Sequence, residues 1–155
     1  MKTIFTLLVL SLIIVSCQPE GRIYSDNQGL SPNLEWLKKD VRSFDVVIED
    51  NSVEYDLSLA FRYATGFQYQ LAKVEVTEES PSGIIRVMEF DLKVREDNGD
   101  YIGDAGLDIW DSEHKVESGI KYMEKGNYTY SITHNMENDP LHFAMEIGLI
   151  VDKAK

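Results

Sequence analysis

The sequence predicts an all-β domain: a single β-sandwich of about eight mainly antiparallel strands. Three observations predict it. Apolar residues recur at every second position through most of the chain after Val41. Clusters of Gly, Pro, Asn, Asp and Ser punctuate these runs at intervals suited to short connections. No segment repeats its apolar residues with the 3.6-residue period of an amphipathic helix.

The first alternating run places Phe44, Val46 and Ile48 on one side and Asp45, Val47 and Glu49 on the other. The most regular run follows. Val53, Tyr55, Leu57, Leu59, Phe61 and Tyr63 share a wholly apolar side, against Glu54, Asp56, Ser58, Ala60 and Arg62. That contrast belongs to a half-buried antiparallel strand. Leu71 to Thr77 alternates again, with Ala72, Val74 and Val76 inward. Ile85 to Val94 is apolar at Ile85 and Val87, then at Met88, Phe90, Leu92 and Val94. This change of phase predicts a bulge or bend near Val87. Leu107 to Trp110, Val116 to Tyr122, Tyr128 to Thr133 and Phe143 to Val151 complete the strands. Turns fall at Asp50-Asn51, Pro81-Ser82-Gly83, Asp97-Asn98-Gly99-Asp100, Gly126-Asn127 and Asn138-Asp139-Pro140. Trp36 to Lys39 has the length of one helical turn.

Ahead of the domain the chain reads as an export signal. Lys2 is followed by Ile4 to Val15, an apolar run interrupted only by Thr6 and Ser11. Such a run is long enough for a signal-peptide core and shorter than the ~20 residues of a permanent membrane span. Ile14-Val15-Ser16-Cys17 then forms a lipobox, in which cleavage makes Cys17 the first mature residue and its thiol is acylated. The expected organisation is a lipoprotein signal peptide at 1–16, a lipidated tether at 17–35 and the sandwich at 36–155. The tether carries two prolines and two glycines between Gln18 and Glu35 and shows no period. Ile23-Tyr24 is its one apolar pair, placed to dock back onto the domain. Cys17 is the only cysteine, so a disulfide within the domain and a thiolate metal site are both excluded.

The chain has 27 acidic and 15 basic residues; loss of Lys2 leaves 14 basic and a net charge of −13. That balance argues against nucleic acid and against anionic lipid surfaces, both of which need clustered Lys and Arg. It fits a self-repelling surface with room for a cationic partner.

Catalytic signatures are lacking in the residue pattern. No G-x-S-x-G elbow occurs. His114, His134 and His142 show no H-E-x-x-H spacing, and an exposed or capping role is expected of them. Carboxylate pairs are too common in so acidic a chain to single out a glycosidase-like pair. Asp97, Asp100, Asp104 and Asp108 lie on a glycine-rich stretch that could offer oxygen ligands to calcium. The stretch lacks the EF-hand order, and a hairpin turn at Asn98-Gly99 explains it better; no cofactor is expected. Arg62 and Tyr63 close the most regular strand just before Phe67 and Tyr69. An aromatic cluster with one arginine suits a sugar or a peptide, so Arg62 and Tyr63 are the candidate partner-binding residues. The plainer reading packs these rings into a corner of the core.

A set of pieces runs in order along the chain: Cys17, Ile23-Tyr24, Trp36 with Lys39-Asp40-Val41 and Phe44, then Asp50 and Tyr55. Leu59-x-x-Arg62-Tyr63, Gly103 within YIGDAGLD, Gly126-Asn127-Tyr128, Met136, Asp139-Pro140-Leu141 and Ile147-Gly148-Leu149 follow. In these pieces and their order the chain resembles the gliding-motility lipoproteins of the GldH type from Bacteroidetes. The chain departs from the family pattern at Gln70-Leu71, where Asn-Leu is usual, and at Met136-Glu137, where Met-Arg is usual. The resemblance implies a non-enzymatic cell-envelope role tied to gliding and to type IX protein secretion, with other envelope proteins as partners. It assigns no catalytic residues. Gln18 follows the cysteine instead of an aspartate associated with inner-membrane retention, so the outer membrane is the expected location. The alternative reading is a glycan-binding surface lipoprotein, favoured by a line of exposed aromatics. A flat apolar patch with a polar rim would favour a protein partner.

Overall fold

A computed structural model describes residues 19–155, which form strands joined by turns with no helix among them. The strands are β1 (Arg22–Gly29), β2 (Glu35–Trp36), β3 (Arg42–Ile48), β4 (Tyr55–Ala64), β5 (Leu71–Glu79) and β6 (Ile85–Lys93). β7 (Asp104–Ala105), β8 (Ile109–Ile120), β9 (Gly126–His134), β10 (Leu141–His142) and β11 (Ala144–Lys153) complete the chain. They make an all-β fold with a five-stranded sheet ordered β1-β11-β4-β8-β7, a four-stranded sheet ordered β3-β9-β5-β6 and the short pair β10-β2. Neighbours in all three sheets run antiparallel.

Period-two patterning places the core. β4 contributes Leu57, Leu59, Phe61 and Tyr63, and β11 contributes Ile147, Leu149 and Val151. Phe44, Val46 and Ile48 of β3, Ala72, Val74 and Val76 of β5, and Tyr130 and Ile132 of β9 come from the other main sheet. All belong to one buried cluster, so each sheet hides its apolar side against the other's. The two flanks of this arrangement differ. On one, Arg42 donates to the carbonyls of Gly29 and Leu30 at 3.1 and 3.2 Å, and the Gln28 amide donates to the Ser43 carbonyl at 2.8 Å. These bonds tie the β1 and β3 edges together. On the other flank Arg86 of β6 reaches Glu117 of β8 at 2.9 Å.

Four expectations need correction. The stretch expected as tether contains β1, which pairs with β11 from Arg22↔Asp152 to Gly29↔Glu146. Its sequence shows no sustained alternation because most of its side chains are polar and none of its residues is fully buried. Backbone pairing, the Arg22–Asp152 ion pair at 3.0 Å and Tyr24 against the core hold it instead. Trp36 lies in β2, and a turn at Lys38-Lys39 replaces the helical turn. Leu107 to Trp110 and Val116 to Tyr122 are not separate strands, because Ile109–Ile120 is one continuous strand against β4. The bulge expected near Val87 is absent: β5 and β6 pair without a register shift from Leu71↔Lys93 to Glu79↔Ile85.

Candidate interaction surface

Arg62 and Tyr63, adjacent on β4, point to opposite sides of their sheet. Tyr63 is fully buried, stacked on Phe61 with ring centroids 5.5 Å apart. Its hydroxyl lies 2.7 Å from the Val94 carbonyl and 2.5 Å from the Ile102 carbonyl, within donating range of both. Burial pushes its pKa up to about 12, although the Ile102 bond works against the shift. As a partner contact Tyr63 is therefore corrected to a core residue; alternation put it on the same side as Phe61. Arg62 is on the outer side, directly opposite Asp111 on β8 and Glu146 on β11. It forms a two-bond fork with Asp111 at 2.6 and 3.1 Å and a third bond to Glu146 at 2.9 Å. The hydrogen bonds to Asp111, chiefly, hold its pKa above the usual arginine value.

The aromatic cluster after Tyr63 exists, but a different arginine serves it. Phe67 sits edge-on to Phe61 at 5.6 Å and to Tyr69 at 5.7 Å. Tyr101 stacks on Trp110 at 5.1 Å, and the Arg95 guanidinium lies 4.2 Å over the Tyr101 ring. Arg95 comes from the turn region after β6, which no local pattern links to β4. The four aspartates do not converge. Asp97 pairs with Lys93 at 3.8 Å, Asp100 takes part in the turn around Asn98, and Asp104 lies in β7. Among the described residues no group of three or more His, Cys, Asp or Glu could hold a metal ion.

The histidines divide. His134 is buried, not exposed, with its ring edge-on to Trp36 at 5.4 Å and its Nδ1 accepting the Met136 N–H at 3.3 Å. Burial lowers its pKa despite Asp139 nearby. His114 is half-buried beside the Ser112 hydroxyl, and burial lowers its pKa as well. His142 stays largely exposed, 3.5 Å from Glu35.

A polar chain crosses between the sheets at one end of the molecule. The Tyr122 and Tyr130 hydroxyls are 2.7 Å apart, and Tyr130 donates to Glu78 at 2.7 Å. Glu78 accepts from Arg86 at 3.0 Å, and Arg86 also forks onto Glu117. Burial raises the pKa of both tyrosines. It works against the charge on Arg86, yet the bonds to Glu117 and Glu78 leave that arginine firmly protonated. These groups satisfy one another, so they fasten the sheets at this flank.

What remains open is the outer side of β6. Ile85 is 62% exposed and Val87 is 57% exposed, and Ile84 and Met123 lie exposed at the same end. Further along the strand Glu89 and Asp91 face a groove of about 780 Å³ walled by Tyr69, Met136 and Glu137. Among the described residues the large apolar side chains left exposed are all aliphatic or methionine; none is aromatic. The sequence signal for this strip was the phase change itself: two apolar residues standing on the polar side of a regular strand.

The geometry defines an all-β domain with exposed aliphatic side chains beside the edge strand β6, which has no second strand partner among the described residues. Residues 22–151 match the family model described as GldH lipoprotein, and the chain belongs to that family. It is 24% identical over 126 residues to the gliding motility lipoprotein GldH of Flavobacterium johnsoniae, covering 81% of this chain and 76% of that one. It is 23% identical over 133 residues to a GldH homolog of Christiangramia forsetii, covering 84% of this chain and 79% of that one.

The residues that carry the family resemblance mostly build the fold. Trp36 donates its indole N–H to the Asp40 carbonyl at 2.9 Å, and Tyr55 donates to the Asp50 carbonyl at 2.6 Å. Asp139 accepts the Lys38 N–H at 3.0 Å. Gly103 has φ +129°, and a Cβ there would overlap the Asp111 backbone.

Proposed function

We propose that the chain is a non-enzymatic lipoprotein of the cell envelope, anchored to a membrane through acylated Cys17. It acts as an assembly or interaction component in gliding motility and the type IX protein secretion linked to it. The family match over residues 22–151 carries this reading, because it spans nearly the whole described chain. The relatives from Flavobacterium johnsoniae and Christiangramia forsetii, both named as gliding motility lipoproteins, support the same role. Cys17 lies outside the described residues, and the lipobox pattern at Ile14 to Cys17 supports its acylation. Gln18 favours the outer membrane over the inner one. The two main sheets, sharing one core, are read as a sandwich held off the membrane by the short segment before β1.

Between a protein and a glycan partner, the exposed surface favours protein. Sugar-binding platforms use the faces of aromatic rings, whereas this surface offers Ile84, Ile85, Val87 and Met123. The test is deletion of the gene in the encoding organism, followed by measurement of surface spreading and of type IX cargo in the medium. Loss of either, restored by the wild-type chain and not by Cys17→Ser, is the expected result. Unchanged spreading and secretion in the deletion strain would overturn the proposal.

A further inference from the structure

β6 is the outermost strand of its sheet, with β5 on one side and no strand on the other among the described residues. The ladder phase says which of its backbone groups are free. At one end the Ser80 N–H donates to the Ile84 carbonyl at 2.9 Å, and at the other the Val94 N–H donates to the Gln70 carbonyl at 2.8 Å. The register between these ends is unbroken. Hydrogen-bonded and non-hydrogen-bonded pairs alternate in an antiparallel ladder, so the even-numbered residues of β6 bond to β5. The N–H and C=O groups of Ile85, Val87, Glu89, Asp91 and Lys93 therefore face the free edge. Their side chains are also the ones on the outer side of the sheet.

Proteins ordinarily blunt such an edge with a proline, a bulge, a lysine at its middle or a covering loop. The opposite edge of this sheet is covered, through the Arg42 and Gln28 bonds to and from β1. Over Ile85 to Asp91 β6 has no proline, bulge or lysine, its one lysine, Lys93, being at the end; the one device it carries is Arg86, turned inward onto Glu117 and Glu78, which leaves the main-chain groups of the odd-numbered residues open. The outer side chains add a second feature. Ile85 and Val87 are exposed aliphatics, and Glu89 stands directly opposite Glu75 of β5. Like charges directly opposite one another weaken a strand pair unless a cation joins them. Asp91 by contrast faces Lys73.

We infer that β6 accepts an added strand from a protein partner, an extended segment whose alternate residues read basic, apolar, apolar. The basic side chain lies opposite Glu89, where it compensates the Glu75–Glu89 pair, and the two apolar side chains lie opposite Val87 and Ile85. Main-chain bonds to the odd-numbered residues supply binding, and the side-chain pattern supplies choice. A second copy of this chain is a poorer occupant: an antiparallel β6–β6 pairing centred on Glu89 opposes like charges, and each copy carries a large net negative charge. The inference specifies the partner chemistry of the interaction role proposed above and rests on that role.

The test uses the full-length lipoprotein in detergent micelles and a labelled synthetic peptide, Thr-Lys-Thr-Val-Thr-Ile-Thr, with a twin carrying Glu in place of Lys. Binding is read by fluorescence anisotropy, and amide exchange is read residue by residue. The expected result is binding of the Lys peptide at least tenfold tighter than the Glu peptide. Amides of Ile85, Val87 and Glu89 should gain protection while the already paired Arg86 and Met88 change little. Val87→Pro removes one free N–H without touching the β5 ladder and should abolish binding. Glu89→Lys should reverse the preference between the two peptides and leave the thermal melt unlowered. Failure of the Lys peptide to bind, equal binding of both, or protection away from β6 would overturn the inference. So would concentration-dependent dimerisation that protects the same amides without peptide. Acylation of Cys17 and envelope location, measured on the same material, stand or fall separately, so failure of strand addition leaves the lipoprotein role distinguishable.

Discussion

Phe61 and Arg62 are chain neighbours with opposite surroundings. Phe61 is 1% exposed and touches the Tyr63 and Phe67 rings, so Phe61→Ala should cost about 3–5 kcal/mol, read as a lower denaturant midpoint. A wild-type midpoint would mean that the strand phase is inverted. Arg62→Ala removes a partly exposed set of ion pairs and should cost less than about 1 kcal/mol. Global unfolding of that variant would contradict the placement. Tyr63→Phe keeps the ring but leaves the Ile102 carbonyl without its hydroxyl partner, and a loss of about 1–3 kcal/mol is expected. The side on which each of these residues lies was legible from alternation alone. The fork between Arg62 and its two carboxylates was not, because Asp111 and Glu146 are brought to it only by sheet pairing. The histidines add a pH dependence. His114 and His134 both have folded pKa values below the ordinary histidine value, through burial. The unfolded chain therefore takes up protons first, so their contribution is full above about pH 6.5 and falls as pH drops toward the folded values. Melting temperature should decline from about pH 7.5 to about pH 5.5, above the range where carboxylates titrate. The double variant His114→Gln/His134→Gln should flatten that decline. A wild-type curve already flat over this range would contradict the burial of both rings.

At the level of elements, β4 and β6 show how far a pattern can be read. β4 announced itself because one side is wholly apolar and buried against the core. β6 misled because its outer side carries Ile85 and Val87; in a chain assumed to hide its apolar residues, a bulge was the natural explanation. Regular pairing with β5 shows that the strand is straight and that those residues meet solvent. Strand β1 was hidden for the opposite reason: it is polar, and long-range pairing with β11 stabilises it. The ladder phase gives an element-scale prediction. Met88→Pro deletes an N–H that bonds to Val76 and should lower the melting temperature strongly, whereas Val87→Pro acts on the free edge and should lower it far less. Equal destabilisation by the two variants would put the ladder in the other phase.

Taken whole, the two flanks of the molecule differ in what they leave open. β1 lies on the flank where it is tied to β3, while the open β6 edge belongs to the other end of the four-stranded sheet. A protein anchored as proposed through Cys17 would have the β6 edge free for a neighbour. The net negative charge of the chain opposes close approach of two copies and suits a basic segment as the occupant of the edge. The residues shared with the family chiefly hold the fold together, so the family could be recognised from the sequence while the open edge could not. The proposed envelope role depends on anchoring at Cys17, and incorporation of labelled palmitate in the encoding organism tests that most directly. The wild-type chain should take up label and fractionate with membranes, while Cys17→Ser should remain unlabelled and accumulate as precursor or leave the membrane fraction. Label retained by Cys17→Ser at the wild-type level would contradict the account.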